Sequence, residues 1–267
     1  MSDALSRLEA LVERLRRDCP WDREQTFETL STYLLEETHE TLEAIERGDA
    51  AELRAELGDL LFQIFFLSRL AAERGWFTLE EVAGGIESKM IARHPHVFGG
   101  ETAEDASAVK ANWEKRKRLD GAPRADPLEG IPPTLPSLSI ALRMSERAAG
   151  LGFDWERTAD ILAKVEEEIG EARRARDAGD RAATEEELGD LLFALANWAR
   201  RSSLDPERAL RLANRKFRRR FKAVADRAAR DGRDVGACSA AELDGYWNAV
   251  KEEEKSSREP SAGPVGE

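Results

Sequence analysis

Cysteine is scarce in this 267-residue chain: only Cys19 and Cys238 occur, far apart and outside any CxxC pattern. That spacing excludes a disulfide framework and a zinc ribbon, and fits two thiols in a reducing compartment. Aromatic residues make up only 7% of the chain, and β-branched runs are few. Ala, Leu, Glu and Arg dominate instead, all of them helix formers, so the expected fold is all-α. No apolar run reaches the roughly 20 residues that cross a bilayer. The longest, Leu60 to Leu70, is interrupted by Gln63, Ser68 and Arg69. The opening MSDALSRLEA is acidic and helical in pattern, unlike a signal peptide. A soluble cytoplasmic protein without a membrane partner is expected. Positive charge is in deficit: 41 Lys and Arg face 53 Asp and Glu, for a formal net charge of −12. That field opposes polyanions, which makes DNA and RNA poor partners, and the surplus carboxylates suit a protein that collects hard divalent cations.

What the sequence does contain is an internal repeat. Segment 36–62, EETHETLEAIERGDAAELRAELGDLLF, aligns without a gap to segment 167–193, EEIGEARRARDAGDRAATEEELGDLLF, at an offset of 131, with 14 of 27 positions identical. With a four-residue shortening the likeness continues into the next helix. There FTLEEVAGGIESKMIAR (77–93) meets LDPERALRLANRKFRRR (204–220), which pairs Lys89 with Lys216 and Arg93 with Arg220. Each copy then closes on a tryptophan, Trp113 in NWEKRKR and Trp247 in YWNAVK. The chain is a duplicated unit.

Domain boundaries follow from composition. Residues 120–137, DGAPRADPLEGIPPTLPS, are too rich in Pro and Gly to sustain a helix and read as a linker. Residues 1–119 form an N-terminal helical domain and 138–255 a C-terminal one. The tail 256–267 has no apolar content to bury and reads as disordered. Within the first copy, Leu34, Leu35, Thr38, Leu42 and Ile45 recur at helical spacing up to Gly48. A second helix spans about Ala50 to Arg74, and a third starts behind Thr78 as N-cap. Short connections make these helices antiparallel neighbours in a bundle.

Two acidic motifs recur in both copies. Glu36-Glu37-x-x-Glu40 is matched by Glu167-Glu168-x-x-Glu171, and Glu56-x-x-Asp59 by Glu187-x-x-Asp190. Residues three apart share a helix face, so each motif aims two carboxylates one way, and a tight turn folds the pairs together. Asp59 and Asp190 sit in the apolar run ELGDLLF, where Gly58 and Gly189 are expected to admit a close helix neighbour. Like charges about 4 Å apart cost roughly 4 kcal/mol at an effective dielectric near 20, so such a cluster calls for cations or protons. All-oxygen ligands favour Mg2+ or Mn2+. Glu36-x-x-His39 has the ExxH spacing of di-iron bundles, but Gly170 replaces the histidine in the second copy, which disfavours iron. His94 and His96 also lack mates and read as local structure. Solvated helix charge is the bland reading of any single EExxE; recurrence of both motifs at one spacing argues against it. The basic pairs Lys89/Arg93 and Lys216/Arg220, each four apart on one helix face, fit a polyphosphate bridging to the metal.

On these residues the chain resembles the MazG family of nucleoside triphosphate pyrophosphohydrolases, within the all-α NTP pyrophosphatase superfamily. The resemblance covers about residues 5–253. It includes CPWDREQTFETLSTYLLEE (19–37), RHPHVFG (93–99), LPSLSIALRMSERAAGLGFDW (135–155), both ELGDLLF segments and ANRKFRRRF (213–221). It implies two tandem MazG-like helical units with four-helix-bundle-type sites completed by a homodimer. The implied reaction cleaves nucleoside and deoxynucleoside triphosphates to monophosphate and pyrophosphate, with broad base tolerance. By similarity Glu168, Glu171, Glu187 and Asp190 bind Mg2+ with Glu167 assisting, and Lys164, Lys216, Arg220 and Trp247 contact the nucleotide. The N-terminal counterparts are Glu36, Glu37, Glu40, Glu56, Asp59, Lys89, Arg93 and Trp113. Lys164 faces Tyr33 in the first copy, and Thr184 stands where some relatives carry a lysine; the C-terminal site is expected to be the stronger. The sequence leaves open a narrower pyrophosphatase for dUTP or a phosphoribosyl substrate, and a helical protein that binds metal and nucleotide without catalysis.

Overall fold

The structure is a computed structural model that describes residues 2–102, 105, 109, 113, 116 and 126–256. The tail expected to be disordered lies, apart from Ser256, outside the described residues. Among the described residues there is no β-strand, and no helix is long and apolar enough to cross a membrane. The chain divides into two compact units, Met1–Pro123 and Arg124–Glu267.

The first unit contains α1 (Ser2–Asp18), α2 (Pro20–Glu24), α3 (Phe27–Arg47), α4 (Ala50–Glu73), α5 (Leu79–Arg93) and the short α6 (Pro95–Phe98). Helix α3 starts at a capping box between Thr26 and Thr29 and ends at Gly48, whose φ of 72° is cheap only for glycine. Asp49 then caps α4 by accepting from the amides of Ala51 and Glu52. One residue in left-handed geometry followed by an acidic cap turns α4 back along α3. Helix α5 begins at a capping box between Thr78 and Glu81. Helix α1 lies on α4, and Val12 of α1, Leu30 of α3 and Phe65, Phe66 and Leu70 of α4 form the core. Phe66 is wholly enclosed. Arg16 ties α1 down by donating to the carbonyls of Asp22, Arg23 and Gln25 and pairing with Glu73.

The second unit repeats the plan with α7 (Ser137–Gly150), α8 (Thr158–Asp177), α9 (Arg181–Arg201), α10 (Pro206–Arg230) and α11 (Ala240–Ser256), with a 3-10 turn at Val235–Ala237. Gly179, also at φ 72°, and the cap Asp180 make the same turn between α8 and α9. Helix α7 packs on α9 as α1 packs on α4, and α10 packs on α11 and α7. Arg200 and Arg201 both pair with Asp154, fixing the loop between α7 and α8. The core is thinner here. Its largest fully enclosed side chains are Ile161 and Val224, and the rest are small: Ala141, Ala194, Ala196 and Ala228, with Val250. Leu188, Leu192, Phe193 and Phe217 stay exposed.

Candidate metal centre

In the first copy Glu37 on α3 and Glu56 and Asp59 on α4 converge, offering oxygens within 4.8 Å of one another. In the second, Glu168 and Glu171 on α8 meet Glu187 on α9 within the same limit. The sequence logic is visible: residues of the EExxE face on one helix meet the ExxD face on the next, across a turn of the same design. Glu40 and Asp190 are outside these triplets but act on them. Burial raises the Glu37 carboxyl above its ordinary range, and Asp59, Glu40, Glu56 and Glu36 add repulsion. Burial, then Glu40, Asp59 and Glu52, raises Glu56. Glu187 is raised by burial first, then by Glu171, Glu168 and Asp190. Each cluster thus holds more negative charge than its oxygens comfortably carry, which is the condition a bound cation relieves.

The donor set fits a hard divalent ion: carboxylate oxygens alone, at separations one cation can bridge. Among the described residues no histidine or cysteine joins either group. His94 is engaged elsewhere, with Nδ1 2.7 Å from the Met90 carbonyl oxygen and the ring 5.0 Å from Trp113.

The two copies also differ in the cation beside the cluster. Glu168 is 4% exposed, and the Lys164 ammonium lies 2.7 Å from it and 2.8 Å from Glu167. Those hydrogen bonds, to Glu167 first and Glu168 second, hold the Lys164 ammonium well above its ordinary range. Its first-copy counterpart Tyr33 instead packs on the apolar core and meets Trp21 edge-on at 5.8 Å.

The basic residues fall into a repeated pattern of their own. Arg93 is buried with its guanidinium 5.1 Å from the Trp113 ring, and Arg220 stands 5.9 Å from Trp247. Arg220 and Arg219 also pair with Glu254 on α11. Lys89 and Lys216 are exposed. Helix α10, which carries Lys216 and Arg220, rests mainly on α11. Glu254 has no counterpart among the residues singled out from the sequence, although the run EEE at 252–254 opposite a basic helix was a readable signal. The Lys164–Glu168 contact was readable too, as a pair four apart on one helix face.

The glycines of ELGDLLF leave open space beside the clusters. A Cβ at Gly58 or Gly189 would meet no atom within 4 Å, so neither glycine receives a close helix neighbour within the described chain. The apolar flank of the clusters is correspondingly open: Leu57 is 52% and Leu188 51% exposed. Within the described residues the leucines of ELGDLLF are left uncovered on that side.

Comparison with known proteins finds one family domain in both halves. The MazG nucleotide pyrophosphohydrolase domain matches residues 25–98 and 157–225, the segments that carry the two acidic clusters. The nucleoside triphosphate pyrophosphohydrolase of Escherichia coli K12 is 43% identical, over 94% of this chain and 98% of that protein. The nucleoside triphosphate pyrophosphohydrolase/pyrophosphatase MazG of Thermotoga maritima is 40% identical, over 91% of this chain and 94% of that protein. YabN of Bacillus subtilis is 39% identical over 94% of this chain, which aligns to 52% of its length. With one domain matched in both halves and relatives aligned nearly end to end, this chain belongs to the MazG family of nucleotide pyrophosphohydrolases.

Proposed function

We propose that this chain hydrolyses nucleoside and deoxynucleoside triphosphates to the monophosphate and pyrophosphate, with Mg2+, or Mn2+ in its place, held by the paired carboxylate clusters. The names of its end-to-end relatives in E. coli and T. maritima support the reaction. The observation that carries the metal assignment is the convergence, in both copies, of carboxylates from two helices onto a common point.

Glu168, Glu171, Glu187 and Asp190 are assigned as ligands in the C-terminal half, and Glu37, Glu40, Glu56 and Asp59 in the N-terminal half. A divalent ion held by these carboxylates would supply positive charge to offset the triphosphate and Lewis acidity to activate water. Glu167, exposed beside the buried Glu168, is assigned to orient the attacking water and take its proton, with Glu36 in the matching place. The water oxygen bonds to the α-phosphorus, the bond to the bridging oxygen breaks, and pyrophosphate leaves. Lys164, Lys216 and Arg220 are assigned to phosphate charge and Trp247 to the nucleotide, with Lys89, Arg93 and Trp113 as N-terminal counterparts. The C-terminal site is favoured as the more active, because its carboxylates are the more deeply set. A homodimer and a cytoplasmic location complete the reading. The dimer would cover Leu57, Leu188, Leu192 and Phe193, which one chain leaves exposed beside the clusters. The division into helical domains 1–119 and 138–255 joined by 120–137 belongs to the same proposal.

Hydrolysis in heavy-oxygen water tests the chemistry. The label is expected in the nucleoside monophosphate; label in pyrophosphate would place the attack at the β-phosphorus and refute this route.

A further inference from the structure

Glu168 is a buried carboxylate with Glu171 and Glu187 beside it. Burying that charge unpaired is costly. Its one oppositely charged partner among the described residues is Lys164, one helical turn away, whose ammonium touches both Glu168 and Glu167. In an isolated helix the order Lys then Glu at this spacing is the weaker one. Burial of Glu168, more than helix geometry, therefore makes the contact. In the first copy Tyr33 occupies the matching position and is committed to the core. Among the described residues no lysine or arginine pairs with Glu37, Glu56 or Asp59.

We infer that Lys164 is a built-in counter-cation of the C-terminal cluster: it neutralises Glu168 when no metal is present, and an entering divalent ion must displace it. The inference rests on the reading of the carboxylate clusters as metal sites. Lys164 and a metal compete in two ways. The ammonium occupies a Glu168 oxygen that the ion needs, and it repels the ion. A single charge about 5 Å from a divalent ion, screened as in water, weakens binding roughly tenfold. Loading is therefore unequal between the halves. The N-terminal cluster takes up metal to settle its own repulsion, while the C-terminal cluster is already partly settled and exchanges one cation for another. The displaced ammonium is left beside the ion, placed to meet a negatively charged ligand that arrives with it. Lys164 is in this sense a positioning residue with a resting role, and metal entry is the event that frees it.

The test uses the full chain carrying Glu37→Gln and Asp59→Asn, so that only the C-terminal cluster binds. Mn2+ is titrated in without nucleotide, and free ion is counted by electron paramagnetic resonance. Lys164→Met is expected to bind Mn2+ roughly tenfold more tightly than its parent, while Lys164→Arg, which keeps the charge, stays close to it. Lys164→Gln, of similar reach and neutral, repeats the measurement if the Met variant unfolds, and should also bind more tightly. Unchanged or weaker binding in the neutral variants would overturn the counter-cation role and leave the metal site standing. Failure of the parent to bind Mn2+ at all would overturn both.

Discussion

Replacing Glu168 by glutamine isolates what its charge does, because the side chain keeps its shape. In the metal-free protein two effects oppose each other. The variant loses an attraction to Lys164 at 2.7 Å. It also sheds repulsion from Glu171 and Glu187, whose oxygens lie within 4.8 Å. Coulomb energy falls inversely with distance, so one attraction is closely offset by two repulsions at up to nearly twice its length. The expected change in metal-free stability is within about 1 kcal/mol. With Mg2+ at 100 times its dissociation constant, a competent site adds about 2.7 kcal/mol to the folded state. Urea unfolding followed by circular dichroism, in EDTA and then in Mg2+, separates these terms. Wild type and variant should nearly coincide in EDTA, and the variant should lack the C-terminal share of the Mg2+ gain. Pyrophosphate release from dGTP by the C-terminal half should fall in parallel. A variant that gains as much from Mg2+ as wild type does would refute the assignment of Glu168 as a ligand. Collapse of the variant in EDTA would refute the offset between attraction and repulsion.

Glu254 offers a pH test: hydrogen bonds from Arg220 and then Arg219 hold it down to about 2, against an ordinary 4.5. A depressed carboxyl stabilises the fold above its unfolded value, so the margin of wild type over Glu254→Gln should be full above pH about 4.5 and vanish toward pH about 2. A margin in urea midpoint that stays constant across that window would show that α11 is not held by this charge. Phe66→Ala, at a fully enclosed position, should destabilise the first unit by about 3–5 kcal/mol in chemical denaturation; a loss under about 1 kcal/mol would mean that the core around Val12 and Leu30 does not depend on it.

Much of this architecture is legible in the residues, and the reason is local. Gly48 and Thr78 end and begin helices through chemistry that involves only their own neighbours, so reading them needs no tertiary information. The convergence of Glu37 with Glu56 and Asp59 was legible because helical period and a short turn leave two antiparallel helices few ways to meet. Contacts between distant segments were less accessible. Periodicity places Leu188 and Phe193 on apolar faces, but it cannot say whether this chain or another covers them, and here they stay open. The glycines before Asp59 and Asp190 obey the same limit: a small residue permits close approach without supplying the neighbour. Helical spacing pairs Arg220 with Lys216 on one face but says nothing of Glu254, thirty-four positions away, which Arg220 also contacts.

The glycine turns also act as a ruler. Glu37 and Glu56 are 19 positions apart, and so are Glu168 and Glu187. One added residue at either bend would rotate every following side chain by about 100° around its helix axis, swinging the second acidic pair away from the first. The halves do differ by four residues, but that difference falls beyond ELGDLLF, after the last carboxylate is in place. Length is thus as much a part of each acidic nest as the acids are: indels that the downstream loop absorbs would, at Gly48 or Gly179, dismantle the nest without altering one of its members.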